Sequence, residues 1–134
     1  GAPTMSNTEI DKAGYGPLEG QEFVIPYNAN LGTTPDEVTA ETAFLTAQLA
    51  FPEAKFWRVK IYNPSASATL AWGTGENRST MTADFASTAG SHIGPGQTEY
   101  FAIQGSRGGV PLRKLWLVSS AAGTSASVTV TPVT

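Results

Sequence analysis

The clearest pattern in the chain is the alternation of large apolar and charged side chains in the segment Phe56–Tyr62. Trp57, Val59 and Ile61 fall on one side of an extended backbone, and the residues between them are basic. A period of two with one apolar side is typical of a half-buried β-strand. The residues 63–65 that follow read Asn-Pro-Ser, and proline cannot donate to a strand ladder, so we expect the strand to end there in a turn.

Shorter segments repeat this alternation and are separated by turn-forming residues. The predicted strands, besides Phe56–Tyr62, are residues 22–26, 69–73, 81–85, 98–103, 112–119 and 127–131. Residues 94–96 read Gly-Pro-Gly and favour a turn before the strand that follows, while residues 27–36, 73–80 and 104–109 read as loops. Seven or eight short strands with no clear helix predict an all-β fold, an antiparallel β-sandwich of jelly-roll or immunoglobulin-like order.

Residues 38–51 fit two structures. Thr34 and Pro35 look like a helix start, and a helix would place Val38, Leu45 and Leu49 on one stripe. Apolar residues also alternate along residues 43–51, which end at a proline directly before the Phe56–Tyr62 strand. We favour a strand here.

The chain has 134 residues and no cysteine, so one domain without disulfides is expected, and the fold must depend on packing and backbone pairing. Residues 1–20 contain few large apolar side chains, and residues 14–20 hold three glycines and a proline. This composition predicts an extended arm, followed by a β-sandwich domain at residues 21–134. Met5 is a candidate natural start, with residues 1–4 left over from expression. No apolar run approaches the roughly 20 residues needed to cross a bilayer.

Charge is distributed unevenly along the chain. Residues 1–53 hold eight acidic residues and one lysine, a net charge of −7, whereas residues 54–134 hold seven basic and three acidic residues, a net charge of +4. This division is compatible with ordinary solvation of two polar surfaces, and also with an acidic arm that binds the basic body of a neighbouring subunit.

Reactive side chains form no convergent set in the sequence. His92 is the only histidine, and we interpret it as a surface or capping residue. Asp36, Glu37 and Glu41 lack the spacing of a calcium loop, so we interpret them as solvated charges. A single Arg-Gly-Gly unit at residues 107–109 in an acidic chain does not favour nucleic-acid binding. We therefore predict no enzyme activity, no cofactor, no metal site, and neither nucleic acid nor membrane as a partner.

The three tryptophans differ in their predicted environment. Trp57 and Trp72 lie on the apolar sides of their strands, so core packing is expected for both. Trp116 alternates away from Leu115 and Leu117. It therefore fits a subunit interface, a two-sided core or a platform for a sugar ring.

From about residue 42 onward, the order of motifs resembles small virion proteins of tailed bacteriophages. The shared motifs are an Ala/Thr-rich segment ending in proline (47–52), an Arg-Val-x-Ile-x-Asn strand (58–63), a strand ending in aromatic-Gly (70–73), a Thr/Ala/Ser loop (80–91), an Ile-x-Pro-Gly turn (93–96), a strand ending in Phe (98–101) and a terminal Gly-Thr hairpin (123–131). The resemblance covers about two-thirds of the chain, and its motifs are turn and core positions.

The resemblance implies a capsid decoration protein on the surface of the phage particle. Such a protein is a homo-oligomer, often a trimer, and stabilises the assembled shell by bridging subunits of the major capsid or another virion protein. The alternative is a receptor- or glycan-binding module of a tail or fibre. The residues expected at the interface are Tyr15, Leu18, Phe23, Arg58, Lys60, Lys114 and Trp116.

Overall fold

The computed structural model describes residues 20–83 and 91–134. These residues form eight β-strands, one α-helix and two short 3-10 turns. The strands are β1 Phe23–Leu31, β2 Asp36–Glu37, β3 Phe56–Tyr62, β4 Leu70–Thr74, β5 Ser91–Ile93, β6 Thr98–Gln104, β7 Leu115–Ser119 and β8 Thr124–Val133; helix α1 is Thr42–Ala50, and the 3-10 turns are Val38–Ala40 and Arg107–Gly109.

The strands form two antiparallel sheets of four, which confirms the predicted β-sandwich. The first sheet has the order β1-β8-β3-β6 and the second sheet the order β2-β7-β4-β5. Each strand of the first half of the fold pairs with its counterpart from the second half: β1 with β8, β2 with β7, β3 with β6 and β4 with β5. Four such pairs, rolled so that neighbouring pairs alternate between two sheets, make a jelly roll rather than an immunoglobulin-like sandwich.

The core lies between the sheets and is built from the alternating residues of the strands. Trp57 on β3 and Phe44 on α1 are its largest fully buried side chains, and their ring centroids lie 5.1 Å apart. The Trp57 indole N–H has no hydrogen-bond acceptor within the described protein, so this residue stabilises the fold by packing. At one side of the sandwich, Trp72 of the second sheet stacks on Phe101 of the first, with ring centroids 3.7 Å apart and planes 7° apart.

Most strand predictions are confirmed, with differences at the ends. β3 has the predicted bounds, and its burial alternates residue by residue. The first strand extends through Leu31, so the prediction of a loop beginning at residue 27 is wrong. Sequence reasoning missed the extension because the strand contains an irregularity: its register shifts between Tyr27 and Leu31, and Ala29 has φ 57°.

The preference for a strand over residues 38–51 is wrong, because these residues form a 3-10 turn and then helix α1. The helix begins at Thr42, not near Thr34, and it buries Phe44 and Ala47 while Leu45 and Leu49 remain exposed. Its apolar residues point in all directions, and packing against β1 decides which of them face the core.

The strand predicted at residues 81–85 is also not found where the structure describes it. Residues 81–83 are irregular, and the remaining two positions lie outside the described residues. None of the helices among the described residues is both long and apolar enough to cross a membrane.

The Asn63 side chain joins the two sheets at the end of β3. Asn63 is fully buried, and its amide group donates to the Ala68 carbonyl at 2.8 Å and to the Ile93 carbonyl at 3.0 Å. Its side-chain oxygen accepts the Ser65 N–H at 3.0 Å, which closes the Asn-Pro turn expected from the sequence. The Asn63 backbone bonds the turn before β6, through the Gln97 carbonyl and the Gly96 N–H.

Replacing Asn63→Asp keeps the shape of the side chain but turns both donors into acceptors. A carboxylate would then face the two carbonyl oxygens in a buried site, and we expect unfolding in urea to show a loss on the order of 3 kcal/mol. The matched control is Asn77→Asp, because exposed Asn77 uses only its side-chain oxygen, toward Ser79. Equal stability of the two variants would contradict the central role of Asn63.

Gly105 is packed against the backbone that leads into β3. It is buried, its N–H donates to the Lys55 carbonyl at 2.9 Å, and a Cβ atom placed on it would clash with the Ala54 carbonyl oxygen. This position falls in the segment that the sequence predicted only as a loop.

We expect Gly105→Ala to destabilise the chain by about 1–3 kcal/mol or more, because neither backbone segment can move away freely. Gly32→Ala serves as the control, since a Cβ there has open space and the change removes freedom from the unfolded chain. Thermal unfolding of both variants checks this expectation, and a similar melting temperature for the two would refute it.

Candidate interaction surface

The outer side of the first sheet is a flat surface that the described residues leave open. Lys60 on β3 lies between Tyr100 on β6 and Thr129 on β8, and Thr129 in turn lies opposite Val24 on β1. The neighbouring row along the strands places Arg58 between Ala102 and Thr131. We call this surface the first-sheet face; its residues are Val24, Phe56, Arg58, Lys60, Tyr62, Tyr100, Ala102, Thr129 and Thr131.

Large apolar side chains are exposed on the first-sheet face. Tyr100 is 72% exposed and Val24 is 63% exposed, and Phe56 and Tyr62 are exposed to a smaller extent. Aromatic residues and arginine are the types enriched at protein-binding surfaces, and this face exposes both.

A shallow groove of about 630 Å³ crosses this face. Arg58, Lys60 and Tyr100 line it, together with Gly20 and Glu22 from the segment that precedes β1. Arg58 and Lys60 are exposed, and among the described residues neither side chain forms an ion pair or hydrogen bond. The groove therefore carries the two positive charges of Arg58 and Lys60 and the negative charge of Glu22.

The outer side of the second sheet is covered by the chain itself. Met81 and Ala83, in the loop after β4, are buried against Ala71 and Val118 of the sheet. Trp116 packs against the same cluster, and its indole N–H donates to the Gly75 carbonyl at 2.9 Å. Of the two outer surfaces, only the first-sheet face lacks such a cover among the described residues.

The structure separates the residues that the sequence predicted at one interface. Arg58 and Lys60 lie together on the first-sheet face, whereas Trp116 lies in β7 of the other sheet and Lys114 directly precedes that strand. Trp116 is half-buried, and Lys114 forms an ion pair with Glu76 at 3.4 Å. Two further residues predicted at the interface, Tyr15 and Leu18, lie outside the described residues.

Phe23, also predicted at the interface, points toward the core. It is half-buried and makes edge-to-face contacts with Phe51 and Trp57, at centroid distances of 6.0 and 6.3 Å. Sequence reasoning named no role for Val24 and Tyr100, which are more exposed than Phe23. The signal was present, because each alternates with an inward residue of its strand, but exposure also depends on what covers the sheet.

A second polar site lies beside the start of helix α1. The Tyr27 hydroxyl donates to the Asp36 carboxylate at 2.6 Å, and burial together with this bond raises the pKa of Tyr27. A side-chain hydrogen bond to Asp36, with burial and the charge of Asp36, raises the pKa of Glu41 to about 7. These acids, interpreted from the sequence as solvated charges, are thus half-buried and bonded to one another.

The described residues contain no group of three or more histidine, aspartate and glutamate side chains that could hold a metal ion. His92 is half-buried on β5, opposite Ala71 on the outer side of the second sheet.

No protein-family model matches the chain, and no curated protein matches it either.

Replacing Glu41→Gln should change how stability depends on pH. Because the pKa of Glu41 is raised above its ordinary value of 4.5, the proton shared with Asp36 stabilises the folded chain fully below pH 4.5, and this contribution is lost as pH rises through about 7. A glutamine keeps a neutral donor at every pH. The variant should therefore be more stable than the parent at pH 8 and should lose the part of the pH dependence that lies between 4.5 and 7.

Chemical unfolding at several pH values checks this expectation. The control is Glu53→Gln, which removes one negative charge from an exposed site that follows helix α1, whereas Glu41 precedes it. We expect a modest effect, because Glu41 is only half-buried and solvent weakens the interaction. If the free energy of unfolding of both variants changed with pH in the same way, net charge, and not the Asp36–Glu41 contact, would set the pH dependence.

Proposed function

We propose that this chain is a structural protein of a tailed bacteriophage virion, and that it decorates the assembled capsid as a homo-oligomer, with a trimer favoured. It binds the shell and stabilises it by bridging subunits, without catalysis. The observation that carries the proposal is the first-sheet face: among the described residues, one side of the jelly roll exposes aromatic and basic side chains, while the opposite side is covered by its own loop.

The fold supports a structural role, since jelly rolls are common in viral capsid proteins and also in lectins. Fold alone does not specify function, so the weight of the argument falls on the surface. Apart from the loop at residues 80–91, the motifs that resemble phage virion proteins lie within or beside strands β3, β4, β6 and β8 and helix α1, which build the body behind that surface.

The size of the first-sheet face favours attachment in several copies. Four strands about 4.8 Å apart and seven residues of β3 at about 3.3 Å per residue give an area on the order of 400 Å². A stable interface usually takes about 800 Å² from each partner. One copy would therefore bind weakly through this face alone, whereas an oligomer that engages several equivalent positions of a shell gains affinity through linked binding.

Binding to the assembled state stabilises a shell by mass action. Particles of the phage that encodes this chain, prepared without the protein, should therefore release their DNA at a lower temperature than complete particles. Added protein should restore the heat resistance and co-sediment with the particles. The double variant Arg58→Glu/Lys60→Glu should restore it at least tenfold less efficiently, whereas Arg107→Glu/Arg113→Glu, an equal change of charge at an exposed loop, should act like the parent.

Equal heat resistance with and without the protein, together with no co-sedimentation, would refute the proposal. A receptor- or glycan-binding role is the alternative, and its one favourable observation is the exposed Tyr100 ring beside the groove. Trp116, the sequence-based candidate for a sugar platform, is half-buried and bonded to Gly75. Binding to a glycan array that Tyr100→Ala abolishes would favour the alternative.

A further inference from the structure

We propose that the acidic segment of residues 1–19 binds across the first-sheet face of its own chain, in the groove lined by Arg58, Lys60 and Tyr100. This inference concerns the isolated chain, and its test does not require particles.

The point at which the segment joins the fold directs it to this groove. Gly20 and Glu22, the first residues after it, line the groove themselves. Gly20 has φ +88°, a conformation that favours glycine, and lies in a turn, so the chain changes direction at the rim of the face. A segment tethered there has an effective concentration in the millimolar range, which favours its own face over that of a second copy.

The charge and the apolar side chains of residues 1–19 both complement the groove. Residues 1–19 carry Glu9, Asp11 and Glu19 against Lys12, a net charge of −2, which complements the Arg58 and Lys60 side chains even though Glu22 at the rim offsets one of them. The segment also contains apolar side chains that cannot form a core by themselves. The large ones are Met5, Ile10, Tyr15 and Leu18.

Length allows the contact. Nineteen extended residues reach about 60 Å, whereas the four strands of the face span on the order of 20 Å. The second sheet provides a precedent within the same molecule, since its outer side is already covered by residues of a loop, Met81 and Ala83. A partner that binds the first-sheet face then meets sheet and segment together, an area closer to that of a stable interface.

The absence of native cysteine permits a direct test with a single nitroxide spin label on Thr8→Cys, observed by NMR in the otherwise complete, isotope-labelled chain. We expect strong broadening of the amide signals of Lys60, Tyr100 and Thr129, and little at Val118 on the opposite side. Introducing Arg58→Glu/Lys60→Glu, or raising salt to about 1 M, where the Debye length is about 3 Å, should reduce the broadening by more than half. The control Arg107→Glu/Arg113→Glu should leave it unchanged.

Two results would overturn the inference. Broadening that is insensitive to both salt and face charge would mean that the label samples the surface only because it is tethered nearby. Broadening that appears in a mixture of spin-labelled chains with unlabelled, isotope-enriched chains would mean that the segment binds a second copy. Either result leaves the particle-binding experiment unaffected, so failure of this inference and failure of the proposed function are distinguishable.

Discussion

The alignment of the two sheets depends on one buried amide, that of Asn63. It follows the last residue of β3 in the first sheet, and its two donors reach carbonyls next to β4 and at the end of β5 in the second sheet. Its backbone also bonds the turn that returns the chain to the first sheet at β6. Because the donors and the side-chain oxygen of a group with 0% exposure are all satisfied, any shift of one sheet against the other at this end breaks a buried hydrogen bond.

With the sheets fixed in this way, the two outer surfaces differ in how the connecting loops cover them. The connection after β4 is long enough to fold back over the second sheet and bury Ala71 and Val118. None of the described connections covers the outer side of the first sheet, and aromatic and basic side chains remain exposed there. Within the described residues, the sandwich thus has one outer side that is covered by its own loop and one that exposes aromatic and basic side chains.

Sequence reasoning succeeded where a single physical signal dominates. Alternation of apolar and polar residues predicted β3 to the residue, and it predicted the inward orientation of Leu115, Leu117, Val128 and Val130. It failed at helix α1, because a segment rich in alanine with apolar residues in every direction fits an alternating pattern as well as a helical one. Arg58 and Lys60 were identified as outward residues. Their separation from Trp116 could not be predicted, because strand order depends on pairing between residues distant in sequence.

The pairing of first with last strands also determines when this protein can fold during its synthesis. β8, Thr124–Val133, is not an edge strand but lies in the middle of the first sheet, between β1 and β3. Until those residues leave the ribosome, β1 and β3 have no common neighbour, and both expose unpaired backbone edges of the kind that promote aggregation. The nascent chain therefore needs β8 to complete the first sheet. A shortened product that lacks β8 would leave β1 separated from the pair β3 and β6.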